Sequence, residues 1–390
     1  MIKNPFILIG LLFTIEFVIL YLANHPQFKK YFNFLPSMFW IYFLPMLASS
    51  VGFIDAKSAV YGQALNYVLP ASLFLILVCV DLKMILRLGT TALFTFFIGS
   101  FGIMLGTVVV FFIFKRWIGP EFAPGFAALS ASWTGGSANM IAVKEALSTP
   151  DAVFAPMVIV DTIVPYVWMG LLIMFSASQG KFDRWNKTDR RILDDINQRV
   201  APALSSKQGK LRLIPVILLI VLGSGVSLAV KALAGYLPVI KGVIAASSWP
   251  IILVSTLALI CSLTPLRKLE NFSSQRVGYY LLYFVLTTIG AKASIQHLGT
   301  SFILIIAGFL IVTIHAVILL TATRLMRIPL FLSAASSQAN IGGVASAPVV
   351  AEIYQPGFSA IGLLMAILGN IVGTYLGIIT GQICSFVAGR

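Results

Sequence analysis

Ser132-Trp133-Thr134-Gly135-Gly136-Ser137-Ala138-Asn139 is a polar, glycine-centred segment inside an apolar run. It has a counterpart in the second half of the chain, Ser337-Gln338-Ala339-Asn340-Ile341-Gly342-Gly343-Val344-Ala345-Ser346. Superposing the two Gly-Gly pairs places a glutamate ten residues after the first glycine of each, Glu145 and Glu352. Further on, each half carries one more polar residue in apolar surroundings, Asp161 in Val-Asp-Thr-Ile-Val-Pro-Tyr and Asn370 in Gly-Asn-Ile-Val-Gly-Thr-Tyr. A tyrosine follows each by five residues, Tyr166 and Tyr375. Interrupted apolar segments in corresponding places of two halves are the sequence pointer to a transporter binding site.

Composition sets the class around these segments. The chain is 59% hydrophobic and 10% charged, with a mean hydropathy of +0.97, whereas about a quarter of a soluble domain is charged. It reads as an all-α polytopic membrane protein. A helix crosses a hydrocarbon core of about 30 Å in about 20 residues. Twelve apolar runs approach that length, at 6–23, 34–53, 64–82, 89–114, 124–145, 154–177, 212–231, 246–264, 278–296, 301–322, 330–352 and 358–386. They are too long and too unalternating for barrel strands. The expected organisation is a first transmembrane repeat at 1–177, a linker at 178–212 and a second repeat at 213–390, each repeat with a broken Gly-Gly helix.

With the N-terminus in the cytoplasm, the inner loops and termini carry 19 of the 27 Lys and Arg residues, including Lys115, Arg116, Arg267, Lys268, Arg324 and Arg327. That bias puts both termini inside the cytoplasmic membrane. The net charge of +14 then reflects topology and anionic inner-leaflet lipid, and no nucleic-acid partner is called for. The first run, interrupted by Glu16, reads as a retained helix and not as a signal peptide. Cys79, Cys261 and Cys384 sit in apolar runs at unrelated spacings, which suits neither a disulfide framework nor a metal site. In the linker, Trp185 to Ile196 is expected to form a short amphipathic helix on the cytoplasmic surface.

Gly-Gly weakens a helix by about 1 kcal/mol per glycine and lets the backbone leave helical geometry without a clash. Thr134, Ser137, Asn139, Gln338, Asn340 and Ser346 stand beside Gly135, Gly136, Gly342 and Gly343, where their side chains are placed to cap half-helices and to ligate a solute or ion. The opened ends supply partial positive and negative charge at mid-membrane. Pro348 removes a backbone hydrogen bond and favours an interruption there. Gly369, Gly373 and Gly377, spaced by four, fit close helix packing.

Of 13 acidic residues, five lie in or near apolar runs: Glu16, Asp81, Glu145, Asp161 and Glu352. Carboxylates there are costly and usually turned to use. Asp161, deep in its run and followed by Pro165, is the expected coupling carboxylate, with Asn370 its uncharged counterpart. Glu145 and Glu352 are secondary candidates that also suit capping, and Glu16 and Asp81 read as structural. Lys292 is placed to neutralise a carboxylate, contact an anionic solute or snorkel outward. His315 reads as a hydrogen-bonded helix histidine.

The stretch from Ser132 to Leu147, with Val-Asp-Thr downstream and Gln-Ala-Asn-Ile-Gly-Gly in the second half, resembles the YjcL-like family of bacterial and plant membrane proteins, domain of unknown function 819, over nearly the whole chain. That family is similar in organisation to bile-acid symporter and cation/proton antiporter-like carriers, whose core domain of crossed, broken helices moves as an elevator. The resemblance implies a core of the fourth to sixth and tenth to twelfth helices, with the remainder a scaffold and a homodimer contact. Those carriers have inverted repeats. Six spans from the fifth run to the eleventh would instead make the halves parallel, unless one span around Gly235 to Ser248 or a re-entrant segment changes the count.

The expected function is secondary active transport of a small polar or anionic solute, coupled to Na+ or H+. No Walker-type phosphate loop and no His-Glu-x-x-His is present in the sequence, so neither ATP drive nor enzymatic chemistry is indicated, and no cofactor or resident metal beyond transient Na+ is expected. A channel, or a ligand-sensing membrane protein without concentrative transport, is the alternative.

Overall fold

Asn4 opens the first helix by accepting hydrogen bonds from the amides of Phe6 and Ile7 at 3.0 and 3.3 Å, with Pro5 at the first helical position. A side-chain acceptor and a pre-set φ are what a helix start needs. The computed structural model describes residues 1–28, 31–32, 37–188, 211–239, 246–293 and 301–389. Within these, the helices are α1 (Pro5–Asn24), α2 (Ser37–Ser50), α3 (Ala59–Leu77, with one π-turn at Ala64–Val68), α4 (Leu82–Leu86), α5 (Gly89–Ile118), α6 (Ala123–Gly135), α7 (Ser137–Ala146) and α8 (Asp151–Ser176). There follow α9 (Gln179–Asn186), α10 (Leu213–Ala234), α11 (Ser248–Ser262), α12 (Ser274–Lys292), α13 (Ser301–Leu325), α14 (Leu330–Ile341), α15 (Gly343–Tyr354) and α16 (Ser359–Ala388). No strand occurs among the described residues.

Seven of these helices are long and apolar enough to cross a membrane: α1, α3, α5, α8, α10, α13 and α16. The chain is therefore a multi-pass, all-helical membrane protein. The other five apolar runs form shorter or interrupted helices, or, in α12, a less apolar one. Run 124–145 divides into α6 and α7, and run 330–352 into α14 and α15. Helix α11 turns by 96° into a 3-10 segment, Pro265–Phe272, which gives an eighth crossing if that bent pair is one span. The amphipathic helix expected at 185–196 falls largely outside the described residues, as do most of the 178–212 linker and the middle of Gly235 to Ser248. Helix α9 precedes the undescribed part and ends at Lys187, which has a left-handed φ of +53°.

Two units share these helices. The first comprises residues 1–79, 144–162 and 208–304; the second comprises 80–143, 163–207 and 305–390. The second unit thus gathers α5, α6, most of α7, α14, α15 and α16 with the latter part of α8 and most of α13, drawn from both halves of the chain.

In the first unit α3 and α12 pack along each other, and α2 lies against α12. Glycines set the spacing. A Cβ on Gly290 would run into the Tyr42 carbonyl, and one on Gly278 would lie 3.0 Å from the Ser72 carbonyl. The Ser274 hydroxyl donates to the Leu75 carbonyl at 3.0 Å. Phe13 and Phe284 stack with ring centroids 4.2 Å apart, within the usual range for favourable aromatic pairs. Glu16 is fully buried on α1. Asp81, in the second unit, caps α4 by accepting from the Met84 amide at 3.1 Å, the structural role its position suggests.

The second unit is built on α16, which packs against α5, α6, α14 and α15. The stripe Gly369, Gly373 and Gly377 faces α6: Cβ atoms there would meet the Thr134 carbonyl, the Gly135 backbone and the Ala131 side chain respectively. In lipid such close approach, rather than the hydrophobic effect, supplies much of helix association. Gly102 and Gly106 do the same for α5 against His315 and Ile311 of α13.

This packing fixes the expected response to a single methyl group. Gly369→Ala is expected to lower the thermal midpoint of the purified protein, with overpacking costing about 1–3 kcal/mol. Gly225→Ala, on α10 with nothing within 4 Å of the added carbon, is expected to be neutral or to stabilise by up to about 1 kcal/mol. Equal effects of the two substitutions would remove the close-packing role assigned to Gly369.

Candidate functional site

Helix α6 is buried from Gly125 to Gly135 and stops where Gly136 adopts φ +81°, ψ 178°, a conformation open essentially to glycine alone. Helix α7 resumes at Ser137. The interruption strands the Gly135 carbonyl, and the Asn139 side-chain amide donates to it. The same amide nitrogen donates to the Asn370 carbonyl at 3.3 Å, and the Asn139 carbonyl oxygen accepts from the Thr374 hydroxyl. Asn139 therefore satisfies the break and binds it to α16. A Cβ on Gly136 would sit 3.5 Å from the Asn370 side-chain oxygen, so Asn370 overlies the break.

The second interruption follows the same physics with different partners. Helix α14 is buried throughout and ends at Ile341, and Gly343 takes φ +62°. The Gln338 side-chain amide reaches across to the Ser346 hydroxyl at 2.7 Å. Asn340 donates to the carbonyls of Phe96 and Ser336 at 3.2 and 3.0 Å and accepts from the Ser100 hydroxyl at 2.7 Å, which ties α14 to α5. Pro348 is not the point of interruption: α15 runs through it from Gly343 to Tyr354. Freedom at φ, held by two consecutive glycines, decides the break more than one missing amide.

The second unit brings Thr134, Gly135, Gly136, Asn139, Gln338, Asn340, Gly342, Gly343, Ser346 and Asn370 together, since α6 packs against both α14 and α15. Ser137 is half-buried at the start of α7. Each break leaves one helix end presenting carbonyls and one presenting amides within this unit. Several buried groups retain unused hydrogen-bonding capacity, namely the hydroxyls of Thr134 and Ser336, the Trp133 indole N–H and the Gln338 carbonyl oxygen. A buried polar atom without a partner is costly, and its position beside a helix break is where a ligand would supply one.

Sequence reading did not find the hydrogen-bond chain that braces α14. His315, fully buried on α13, contacts the Gly99 carbonyl through Nδ1 at 2.8 Å and the Ser337 hydroxyl through Nε2 at 2.8 Å. A carbonyl only accepts, so Nδ1 carries the proton and Nε2 accepts from Ser337. The Trp168 indole in turn donates to Ser337 at 2.9 Å. The recognisable signal was a histidine facing a glycine-rich stretch of α5. Its partners depend on the helix crossing.

The remaining candidates separate. Glu352 accepts from the amides of Gly357 and Ser359 at 3.0 and 3.3 Å and so caps the start of α16. Asp161 is half-buried on α8 and lies in the first unit. Glu145 and Lys292 belong to a charge cluster of that unit. Lys144, with 4% of its side chain exposed, pairs with Glu145 at 2.8 Å and Asp151 at 3.1 Å, while Lys292 pairs with the other Asp151 oxygen at 3.1 Å. The Lys144 ammonium also stands 5.5 Å from the Phe154 ring centre. Lys292 thus neutralises a carboxylate, one of the roles its sequence position offers. Asp151 and Lys144 were not among the residues singled out in the sequence; the sign was a lysine within an apolar run. Among the described residues no group of His, Cys, Asp and Glu is arranged to hold a metal ion.

Removing one member of this cluster leaves charges without partners. Lys144→Met is expected to destabilise by about 3–5 kcal/mol, and adding Asp151→Asn is expected to recover a large part of that loss. Additive losses in the double variant, read from thermal unfolding, would mean that the pair is not coupled.

Comparison with known proteins agrees with a membrane protein. The chain is 27% identical over 352 residues to the uncharacterized membrane protein YjcL of Bacillus subtilis (strain 168), covering 85% of this chain and 86% of that protein. Residues 10–387 match the family described as "Protein of unknown function (DUF819)", and the chain belongs to that family of membrane proteins.

Proposed function

We propose that this chain is a secondary active transporter of the cytoplasmic membrane, moving a small polar or anionic solute coupled to Na+ or H+. The observation that carries the reading is the occurrence of two helix interruptions, at Gly136 and at Gly342–Gly343, in one unit with unpartnered buried polar atoms beside both. In this reading the two interrupted pairs and the shorter apolar helices count as crossings. The protein then has twelve spans in two related halves, with both termini cytoplasmic. Amide ends of α7 and α15 suit an anionic group, and carbonyl ends of α6 and α14 suit a cation.

Thr134, Ser137 and Gln338 supply hydrogen bonds to the solute, while Asn139, Asn340, Ser346 and Asn370 hold the breaks in shape. Asp161 is the coupling carboxylate. Its place deep in an apolar run, followed by Pro165, supports that role, while Glu352 caps α16 and Glu145 pairs with Lys144. The chemistry is binding and translocation, with no enzymatic step and no cofactor.

Thermal stabilisation of the purified protein across a solute library, with and without Na+ and at two pH values, tests this. A solute-specific shift that depends on Na+ or pH and is lost in Asp161→Asn is expected. Solute binding that survives Asp161→Asn unchanged in every ionic condition would remove coupling through that residue. Binding without solute accumulation in proteoliposomes under an ion gradient would make the protein a sensor.

A further inference from the structure

The second unit contains a cavity of about 250 Å³ between the C-terminal halves of α8 and α13 and the start of α14. Its wall is apolar, with Leu172, Phe175, Ala316, Leu320 and Ala334 prominent in it. Apart from Ser178, which is exposed, the polar side chains that line it are already engaged. The Trp168 indole is bound to Ser337, the Tyr354 hydroxyl to the Leu172 carbonyl at 2.7 Å, and the Ser333 hydroxyl to Thr323 at 2.6 Å. A polar solute would find few free hydrogen-bonding groups in this space, so desolvation disfavours it. An alkyl chain asks for none.

What surrounds the mouth narrows the occupant further. Phe175 and Leu320 line the cavity and are also about half exposed, at 53% and 45%, on helices apolar enough to span the membrane. The wall is therefore continuous with the hydrocarbon-facing surface. At one end, α13 finishes against α9, the helix that follows α8, since Arg324 of α13 stacks on Trp185 of α9 at 4.4 Å. Two span ends and a tryptophan mark the headgroup level. Helix α9 contributes Phe182 to the cavity, and Lys181 and Arg184 on either side of it are exposed, as is Arg324. The acidic residue among them, Asp183, is buried and accepts from the Leu330 amide at 2.9 Å. The two elements that close this end of the cavity, α9 and the end of α13, thus carry three exposed cations.

We infer that this cavity is a binding site for one acyl chain of an anionic membrane phospholipid, with its phosphate held at the collar of Lys181, Arg184 and Arg324. The site is distinct from the helix breaks. It shares Ser337 with the chain that leads through His315 to Gly99, so the acyl chain braces α14 on its apolar side.

The test uses the full-length protein in nanodiscs containing phosphatidylglycerol with a photoreactive diazirine near the end of one acyl chain. Phosphatidylcholine with the same chain is the comparison, and adducts are mapped by peptide mass spectrometry. Adducts are expected to concentrate in Trp168–Phe175 and Ala316–Leu320 with phosphatidylglycerol. Lys181→Gln with Arg184→Gln is expected to lower that preference by roughly fivefold per charge removed. Ala316→Phe, which fills the cavity, is expected to abolish those adducts while labelling of the exposed face of α10, at Leu218 and Val221, continues. The wild-type map decides by itself if the filled variant does not fold. Adducts spread evenly over the lipid-facing helices, equal labelling by the two lipids, or displacement of the label by a water-soluble solute would each overturn the assignment.

Discussion

A backbone carbonyl that loses its helical partner inside hydrocarbon finds no water, and each such group left unpaired costs several kcal/mol. At the first interruption that carbonyl belongs to Gly135, and the Asn139 amide that captures it also binds the Asn370 carbonyl. The rest of the second unit depends on this arrangement. It allows α6 to end in a buried place, obliges α16 to approach α6 within glycine distance, and places Asn370 over Gly136. At the second interruption Asn340 ties α14 to α5 through the Phe96 carbonyl and the Ser100 hydroxyl. The two breaks are therefore parts of a packed structure and not isolated weak points.

Satisfaction is incomplete where a ligand would be useful. Asn139 and Asn340 spend their side chains on backbone and hydroxyl groups, whereas Thr134 and Gln338 keep an oxygen in reserve. This division gives the site a rigid part and a receptive part, which is what binding with little reorganisation requires. The charged groups follow a different rule. Glu145, Asp151, Lys144 and Lys292 pair among themselves in the first unit, and the helix ends supply partial charge in the second.

Much of this was legible in the sequence, for physical reasons that can be named. Composition alone excludes a soluble protein. Gly136 and Gly343 hold the positive φ values because the breaks need residues without Cβ, and consecutive glycines among polar residues announce that need. The i, i+4 stripe from Gly369 to Gly377 likewise announced its packing role. The partners were not legible, because Ser100, Thr374 and the Phe96 carbonyl are chosen by helix crossings. Equal spacing from Gly-Gly also misled about equivalence: Glu145 and Glu352 share a register, yet one meets a lysine and the other caps a helix. Apolar length did not reveal interruption either, since runs 124–145 and 330–352 resemble continuous spans until their polar centres are weighed.

The most direct measurement is a cryo-electron microscopy map of the protein in lipid with its solute bound. The account predicts solute density between Gly136 and Gly342, contacting the Thr134 hydroxyl and the Gln338 side-chain oxygen, with both interruptions retained. Density lodged away from both interruptions, or helices that run unbroken through Gly136 and Gly343, would contradict it.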